Sequence, residues 1–458
     1  MKKYQTLLKG TVCASLFCCA IPAAQANNWF DLQTVAFPSW GAGRFIGFVQ
    51  PVFTNISASP AANHLIPRPD YVGETDSTGT GSTSSVYMQR ARFLVRGSIN
   101  PNISYYLGSE AGDNGYDYSF GNYAPRIIDA NLTFSNMLPL GNRFEVGVIR
   151  APGPEDAMQG FMVFNFLDLF TSATAQLMQP VFYQAGMHYT SNGTPGGYQV
   201  ASNYLSGNNG FRYPGVQLEN WFMVSPKTEI AYGAMLGEYG RQFETGTDNG
   251  QIYAGRIQAS YLLSPHSDRI FRDDITGYVW YQEANPQMNG LSNQMIRDGF
   301  GMTARKGYMR PNALSAKFEY ISGTGNIMAP AAFDQVPGVA PAQYDATFYP
   351  GSQNRAYGYD ASVGYFFTKN IEAVLRYDWY DRLPNIAVQE RVFENRAISL
   401  QYHITGWTRI VVDYIDRSLN VPNPLAILKA NGQAGLNLAE TTGNAIGNQF
   451  DLYAIIAF

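Results

Sequence analysis

Apolar side chains occupy every second position of the last nine residues, FDLYAIIAF: Phe450, Leu452, Ala454, Ile456 and Phe458. A β-strand sends alternate side chains to opposite faces, so these five form one apolar stripe. A final strand of this kind, ending on an aromatic residue, fits a closed barrel in a bilayer, where the last strand must close against the first. A soluble β-protein whose final strand is amphipathic is the plainer alternative. The same alternation recurs along the chain in segments of about ten residues separated by turn residues, the pattern of a transmembrane antiparallel β-barrel. At most one segment after the first 26 residues carries a helical period.

Single segments predict which face meets lipid. In Val86–Ser98, Arg90, Arg92, Leu94 and Arg96 alternate with Ala91, Phe93, Val95 and Gly97. A charge facing lipid at mid-bilayer costs roughly 2–4 kcal/mol, so the arginines point into the lumen. By the same parity Glu372, Arg376 and Asp378 face inward, as do Arg409 and Asp413. A polar, charged interior implies water, and water through a wide barrel implies a channel. Trp221, Trp280, Trp379 and Trp407 fall near strand ends, where aromatic girdles sit.

Eight short turns and nine long connections predict eighteen strands, or sixteen if one weak hairpin, near Gln199–Phe222 or Gln294–Ile321, is no hairpin at all. Either count is even and places both termini on the periplasmic side. The expected layout is a signal peptide over residues 1–26, a short aromatic periplasmic leader over 27–42, and one barrel over 43–458. The signal reading rests on Lys2, Lys3 and Lys9, an apolar run too short to span, and Ala24-Gln25-Ala26 as a cleavage site. All three cysteines lie inside that segment, so the mature chain has no disulfide or thiolate metal site. Removing three lysines and no acid moves the formal charge from −4 to −7.

Composition narrows the class further. Charged residues make up 14% of the chain, against about 25% in soluble domains. Four histidines (His64, His188, His266 and His403) are scattered and form no nucleophile–base motif. The chain therefore reads as a channel rather than an enzyme, without cofactor, metal or nucleic acid. The loops Thr54–Ser85, Thr324–Arg355 and Ser418–Gly447 are long and without periodicity. They leave open an adhesin or receptor, or a barrel that sheathes a redox partner.

The connection 151–180 is the most specific internal element. After Ala151-Pro152-Gly153-Pro154-Glu155-Asp156 comes FMVFNFLDLF, with Phe161, Phe164, Phe166 and Phe170. Such a run is too apolar to hang in solvent. It folds into the barrel as a constriction loop, or else dips into the membrane or a subunit contact. In the first case Glu155 and Asp156 face Arg90, Arg92 and Arg96 across an eyelet, with Arg376 and Arg409 lining the pore. An arginine about 5 Å from an anion at an effective dielectric near 20 attracts it by ~3 kcal/mol, weakly enough for conduction. Alternatively the arginines pair with wall acids such as Glu110, Asp129, Glu145 and Glu372.

Several stretches resemble the phosphate-selective porin O and P family: MQRARFLVRGSINPNISYYLGSEAG, RIIDANLTF, FEVGVIRAPGPEDAM and QPVFYQAGMHY. The likeness covers Val86 to Tyr189 and is one of pattern elsewhere. It implies a trimeric outer-membrane porin, sixteen strands in the best-known members, and a constriction lined by basic residues. Its partners would be the lipid bilayer with lipopolysaccharide and the barrel assembly machinery. The C-terminal stretch resembles the signal that such barrels present to that machinery, with Phe458 as its last residue. The chain departs from the family's lysine-rich funnel: after Ala26 it has 23 arginines but only five lysines.

Overall fold

The fold is taken from a computed structural model of the chain. It describes residues 29–30, 43–57, 83–112, 125–136, 138–160, 165–167, 172–178, 181–183, 190–191, 198–201, 205–207, 211–239 and 250–458, the last apart from 265–271, 286, 289–290, 293, 331–344 and 350. The expected signal peptide lies outside these residues.

Sixteen antiparallel strands form one closed barrel. The first eight are β1 (Arg44–Ile56), β2 (Thr83–Asn100), β3 (Ile103–Glu110), β4 (Arg126–Phe134), β5 (Arg143–Arg150), β6 (Arg212–Ser225), β7 (Thr228–Glu238) and β8 (Gln251–Leu262). The rest are β9 (Asp274–Ala284), β10 (Met295–Lys306), β11 (Leu314–Thr324), β12 (Arg355–Phe366), β13 (Ile371–Arg382), β14 (Arg391–His403), β15 (Arg409–Asn420) and β16 (Gln449–Ala457). β16 closes on β1, with Phe53 opposite Leu452 and Ile56 opposite Gln449. The terminal Phe458 exchanges both backbone hydrogen bonds with Gly47, at 2.9 and 3.0 Å. Its ring lies over Gly47, where a Cβ would sit 2.5 Å away, and stacks on Phe45. The last residue of the chain thus completes the seam that leaves no strand edge open.

Alternation decides the two faces. Phe93, Leu375, Ile398 and Leu452 are exposed on the outside, while Arg90, Asp378, Gln401 and Asp451 are buried inside. At one end the strands join by tight turns that satisfy themselves. The Thr368 and Thr405 hydroxyls accept the N–H groups of Ile371 and Thr408 at 3.1 and 3.0 Å. Asn136 and Asn312 take positive φ of 59° and 64°, a region Asn tolerates better than most residues. The long connections leave from the other end.

The count of eighteen is corrected to sixteen, the alternative. β5 pairs directly with β6, Gly147 opposite Gly215. The described segments between them lie outside the wall, whereas Arg212–Ser225, within the doubtful hairpin near Gln199–Phe222, and both strands of the one near Gln294–Ile321 belong to it. Val181–Tyr183 pairs with Leu205–Gly207, and Thr190–Ser191 with Tyr198–Ala201. The latter segment then pairs with Asp345–Tyr349, and that with Ile327–Pro330. Period-two alternation marks any strand; it does not say which neighbour the strand will find.

Two further expectations change. Trp280 is buried within the barrel and Trp221 packs against an interior cluster, so neither belongs to a girdle. Trp379 does face outward, stacked on Tyr359. The loop after β15, read as aperiodic, contains the helix Pro424–Ala445, broken at Gly432 with φ 68°.

Candidate functional site

The connection after β5 turns into the lumen. Ala151 N–H donates to the Phe211 carbonyl at 3.0 Å and ties its base to the start of β6. Pro152 and Pro154 have no N–H to satisfy, so this stretch asks chiefly for donors to its carbonyls. The wall supplies them: Gln282 on β9 donates to the Pro152 carbonyl at 2.9 Å, and Arg256 on β8 to that of Gly153 at 2.8 Å. A single helical turn follows, α1 (Glu155–Met158), with all four residues buried.

Glu155 and Asp156 are both held. Arg256 pairs with Glu155 at 2.5 Å, and the Trp29 indole N–H donates to the same carboxylate at 2.6 Å. The Glu155 N–H donates to Glu319 on β11 at 3.0 Å. Lys317 on β11 bridges Asp156 and, at 3.0 Å, Asp360 on β12. From beneath, Arg150 donates to the carbonyls of Met158 and Gln159 at 3.1 and 3.0 Å. Burial pushes the Glu155 carboxyl up. Arg256, with its hydrogen bond and that of Trp29, outweighs burial and holds the group below the usual carboxylate range.

The loop then reaches the opposite wall. Gln401 on β14 donates to the Asn165 carbonyl at 3.1 Å. Phe166 lies under the Arg376 guanidinium, 4.3 Å from ring centroid to Cζ, and packs with Val374, Ala397 and Ile415. Leu167 N–H donates to Asp413 at 2.8 Å, and its side chain packs among Phe48, Val52, Val411, Tyr453 and Ile455. A second helix, α2 (Ser172–Met178), rests on β11 to β14, with the Leu177 carbonyl accepting from Arg297 at 2.9 Å. Phe161, Phe164 and Phe170 lie outside the described residues. Buried loop backbone must find partners, and the inward polar side chains of distant strands provide them.

The arginines of β2 lie elsewhere. Arg90 is buried and donates to Gln50 at 2.6 Å. Arg92 pairs with Glu110 at 2.6 Å, and Arg96 lies over the Tyr106 ring. Glu110 also accepts from the N–H groups of Ala91 and Gly112. The loop acids therefore meet Arg256 and Lys317, not the β2 arginines. Among the wall acids, Asp129 pairs with Arg212 at 2.6 Å and Glu372 with His403 at 2.9 Å. Arg376 and Arg409 line a cavity bounded by α1, Phe166 and strands β10 to β13 and β15. Its wall carries four cations, Arg305, Lys317, Arg376 and Arg409, against three carboxylates, Asp156, Asp360 and Glu372.

Arg256, Lys317, Glu319, Asp360 and Gln282 were not singled out from the sequence. Strand parity marks each as inward, as in Ile252, Ala254, Arg256, Gln258 and Ser260, but not as a loop partner. Trp29 carried no such signal.

Residues 67–214 match the model of the phosphate-selective porin O and P family. No curated protein matches the chain. Among solved structures, the anion-selective porin from Comamonas acidovorans is similar with a TM-score of 0.50 at 10% identity, over 91% of this chain and 99% of that one. The outer membrane channel DcaP of Acinetobacter baumannii gives 0.48 at 13% identity, over 93% and 100%. A closed barrel with an apolar outer belt, a charged interior, an inward-folded loop and that family match define an outer-membrane porin.

Proposed function

We propose that this porin passes small hydrophilic solutes by passive diffusion, with a modest preference for anions, and that it works as a homotrimer. The observation that carries the reading is the loop after β5, pinned across the lumen by side chains of β8, β9, β11, β14 and β15. A loop so held narrows the pore, and a cavity lined by charged residues remains beside α1. The anion preference rests on that four-to-three excess of cations and on Arg90, Arg92 and Arg96. Because most lumen charges are paired, the preference is weak, as conduction requires. The trimer is carried over from the resemblance to a trimeric family, as are contacts with lipopolysaccharide and the barrel assembly machinery.

The test is conductance in planar bilayers with the reversal potential in a salt gradient. Stepwise channels with an anion-sided reversal potential support the reading; a silent barrel sinks it. Cross-linking of the native protein reports on the trimer. For assembly, Phe458→Ala should reduce the folded, heat-modifiable form while secretion continues. Normal levels of that form would remove Phe458 from the role of assembly signal.

We infer that the barrel conducts rather than catalyses. His403, the one described histidine, is held in the wall by Glu372 and by Tyr308 at 3.4 Å, a fastening for neighbouring turns. A receptor role for the outer face is favoured by the exposed helix after β15, where Leu425 is 75% exposed. A sheath for a redox protein fits less well, since the lumen is crossed by the chain's own loop.

A further inference from the structure

Two residues from the start of the chain lie deep in the barrel. Phe30 is fully buried, and Trp29 nearly so. They pack with Met158 of α1, Ala231 of β7 and Trp221 of β6. The Trp29 indole N–H donates to Glu155 at 2.6 Å, on the carboxylate that Arg256 also grips. Arg305 lies over the indole ring, 5.8 Å from its centroid. Phe30 takes the space above Gly233: a Cβ there would sit 2.4 Å from the ring and 3.3 Å from Pro152.

The pair and the cavity meet α1 through different wall strands. Trp29 and Phe30 fill the space between α1 and the wall of β6 to β8. The open cavity lies on the other side of α1, against β10 to β13 and β15. Arg305 borders both. Glu155 is thus the meeting point of wall, loop and leader.

We propose that the start of the mature chain is a built-in plug: Trp29 and Phe30 wedge between α1 and the β6–β8 wall, closing that side of the pore and confining passage to the β10–β15 side. Cleavage after Ala26 would leave only Asn27 and Asn28 ahead of the pair. Processing then produces a short free end that seats in the barrel. The geometry is that of a ligand in a pocket: two aromatic side chains in an apolar cradle, with one indole N–H on a buried carboxylate.

The proposal rests on the reading of the barrel as a conducting pore, which the wild-type protein tests by itself. In one variant Asp31 follows Ala26 directly, so the plug is gone. In a second, Gly233→Val leaves the leader intact and takes the space of Phe30. Both should show higher single-channel conductance than wild type and greater current noise as α1 loses a contact. A synthetic peptide with the sequence NNWFDL, added on the periplasmic side, should return the first variant toward the wild-type current. The same peptide with both aromatics replaced by Ala should not. A conducting wild type with unchanged conductance in both folded variants overturns the plug and leaves the porin intact. Failure of both variants to assemble makes the pair a structural strut and also overturns it. A silent wild type instead fails the porin reading.

Discussion

Two long connections leave the same end of this barrel and meet opposite fates. The one after β5 turns inward and is buried; the one after β15 stays outside as the helix Pro424–Ala445, here α3. The inward loop spends its polar groups on the wall. Its carbonyls accept from Gln282, Arg256 and Gln401, and its carboxylates meet Arg256 and Lys317. The outward one satisfies its backbone within its own helix, and its end is capped locally. Arg417 donates to the carbonyls of Ile446 and Gly447 at 3.0 and 2.9 Å. Asn423 at its start is bonded to Glu390 of the neighbouring loop. Apolar content alone does not send a loop inward. A segment that cannot close its own hydrogen bonds goes where distant strands can close them.

Exchanging the fates of the two loops in experiment would break this contrast. The largest effect is expected from deleting Phe161–Phe170, which should raise single-channel conductance several-fold, while replacing α3 by a short turn leaves conductance as it was. Equal effects of the two deletions would dissolve the distinction. Next comes Arg256→Ala. It strands Glu155 in a buried site, and removing one partner of such a pair costs about 3–5 kcal/mol. Thermal unfolding should start earlier and the channel should flicker. By contrast, Asn423→Ala on the outer helix should cost only ~1 kcal/mol. Comparable losses from the two would mean that the inner loop is held by packing rather than by its charges.

Replacing Arg90, Arg92 and Arg96 together by Gln should lower anion-over-cation permeability, most at low salt, where screening is weakest. Arg92→Gln should also lower stability, by about 1–3 kcal/mol, because Glu110 loses a charged partner but keeps two backbone donors. Unchanged selectivity with a lowered unfolding temperature would reduce all three to wall struts. The smallest effect concerns pH. Glu155 faces Arg256 and Arg305, with Trp29 on its carboxylate and Glu319 on its N–H. Its folded carboxyl titrates lower than an unfolded one, so its contribution is present above the ordinary carboxylate range and is lost as pH falls through the folded value. Current noise from the loss of this contact should rise only as pH falls below the ordinary carboxylate range. Noise that rises nearer neutrality would point to another group.

Much of the wall was legible because facing is a local property. The parity of Arg90, Arg92 and Arg96, of Glu372, Arg376 and Asp378, and of Arg409 and Asp413 appears in the structure as inward side chains. The apolar run of the 151–180 loop left an inward fold and a membrane or subunit contact both open, and the polar anchors on the wall decided for the first. Its opposing charges were not legible. Arg90, Arg92 and Arg96 were expected either across an eyelet from Glu155 and Asp156 or on wall acids; Arg92 meets Glu110, and Arg256 and Lys317, 101 and 161 residues further on, hold the loop acids. The eighteen-strand count failed likewise, because the segments within 181–207 alternate as wall strands do but pair with each other and with Asp345–Tyr349.

By itself the sequence determined a lipid-facing and a lumen-facing side for each strand, and a final strand ending on Phe458 that must meet the first. Both follow from a side-chain period of two and from a bilayer that tolerates no open edge. Tertiary structure alone decided how many strands join the wall, which cations hold the loop, and that Trp29 and Phe30 enter the barrel. Those choices depend on which distant groups curvature and closure bring within hydrogen-bonding distance, and no spacing along the chain encodes that distance.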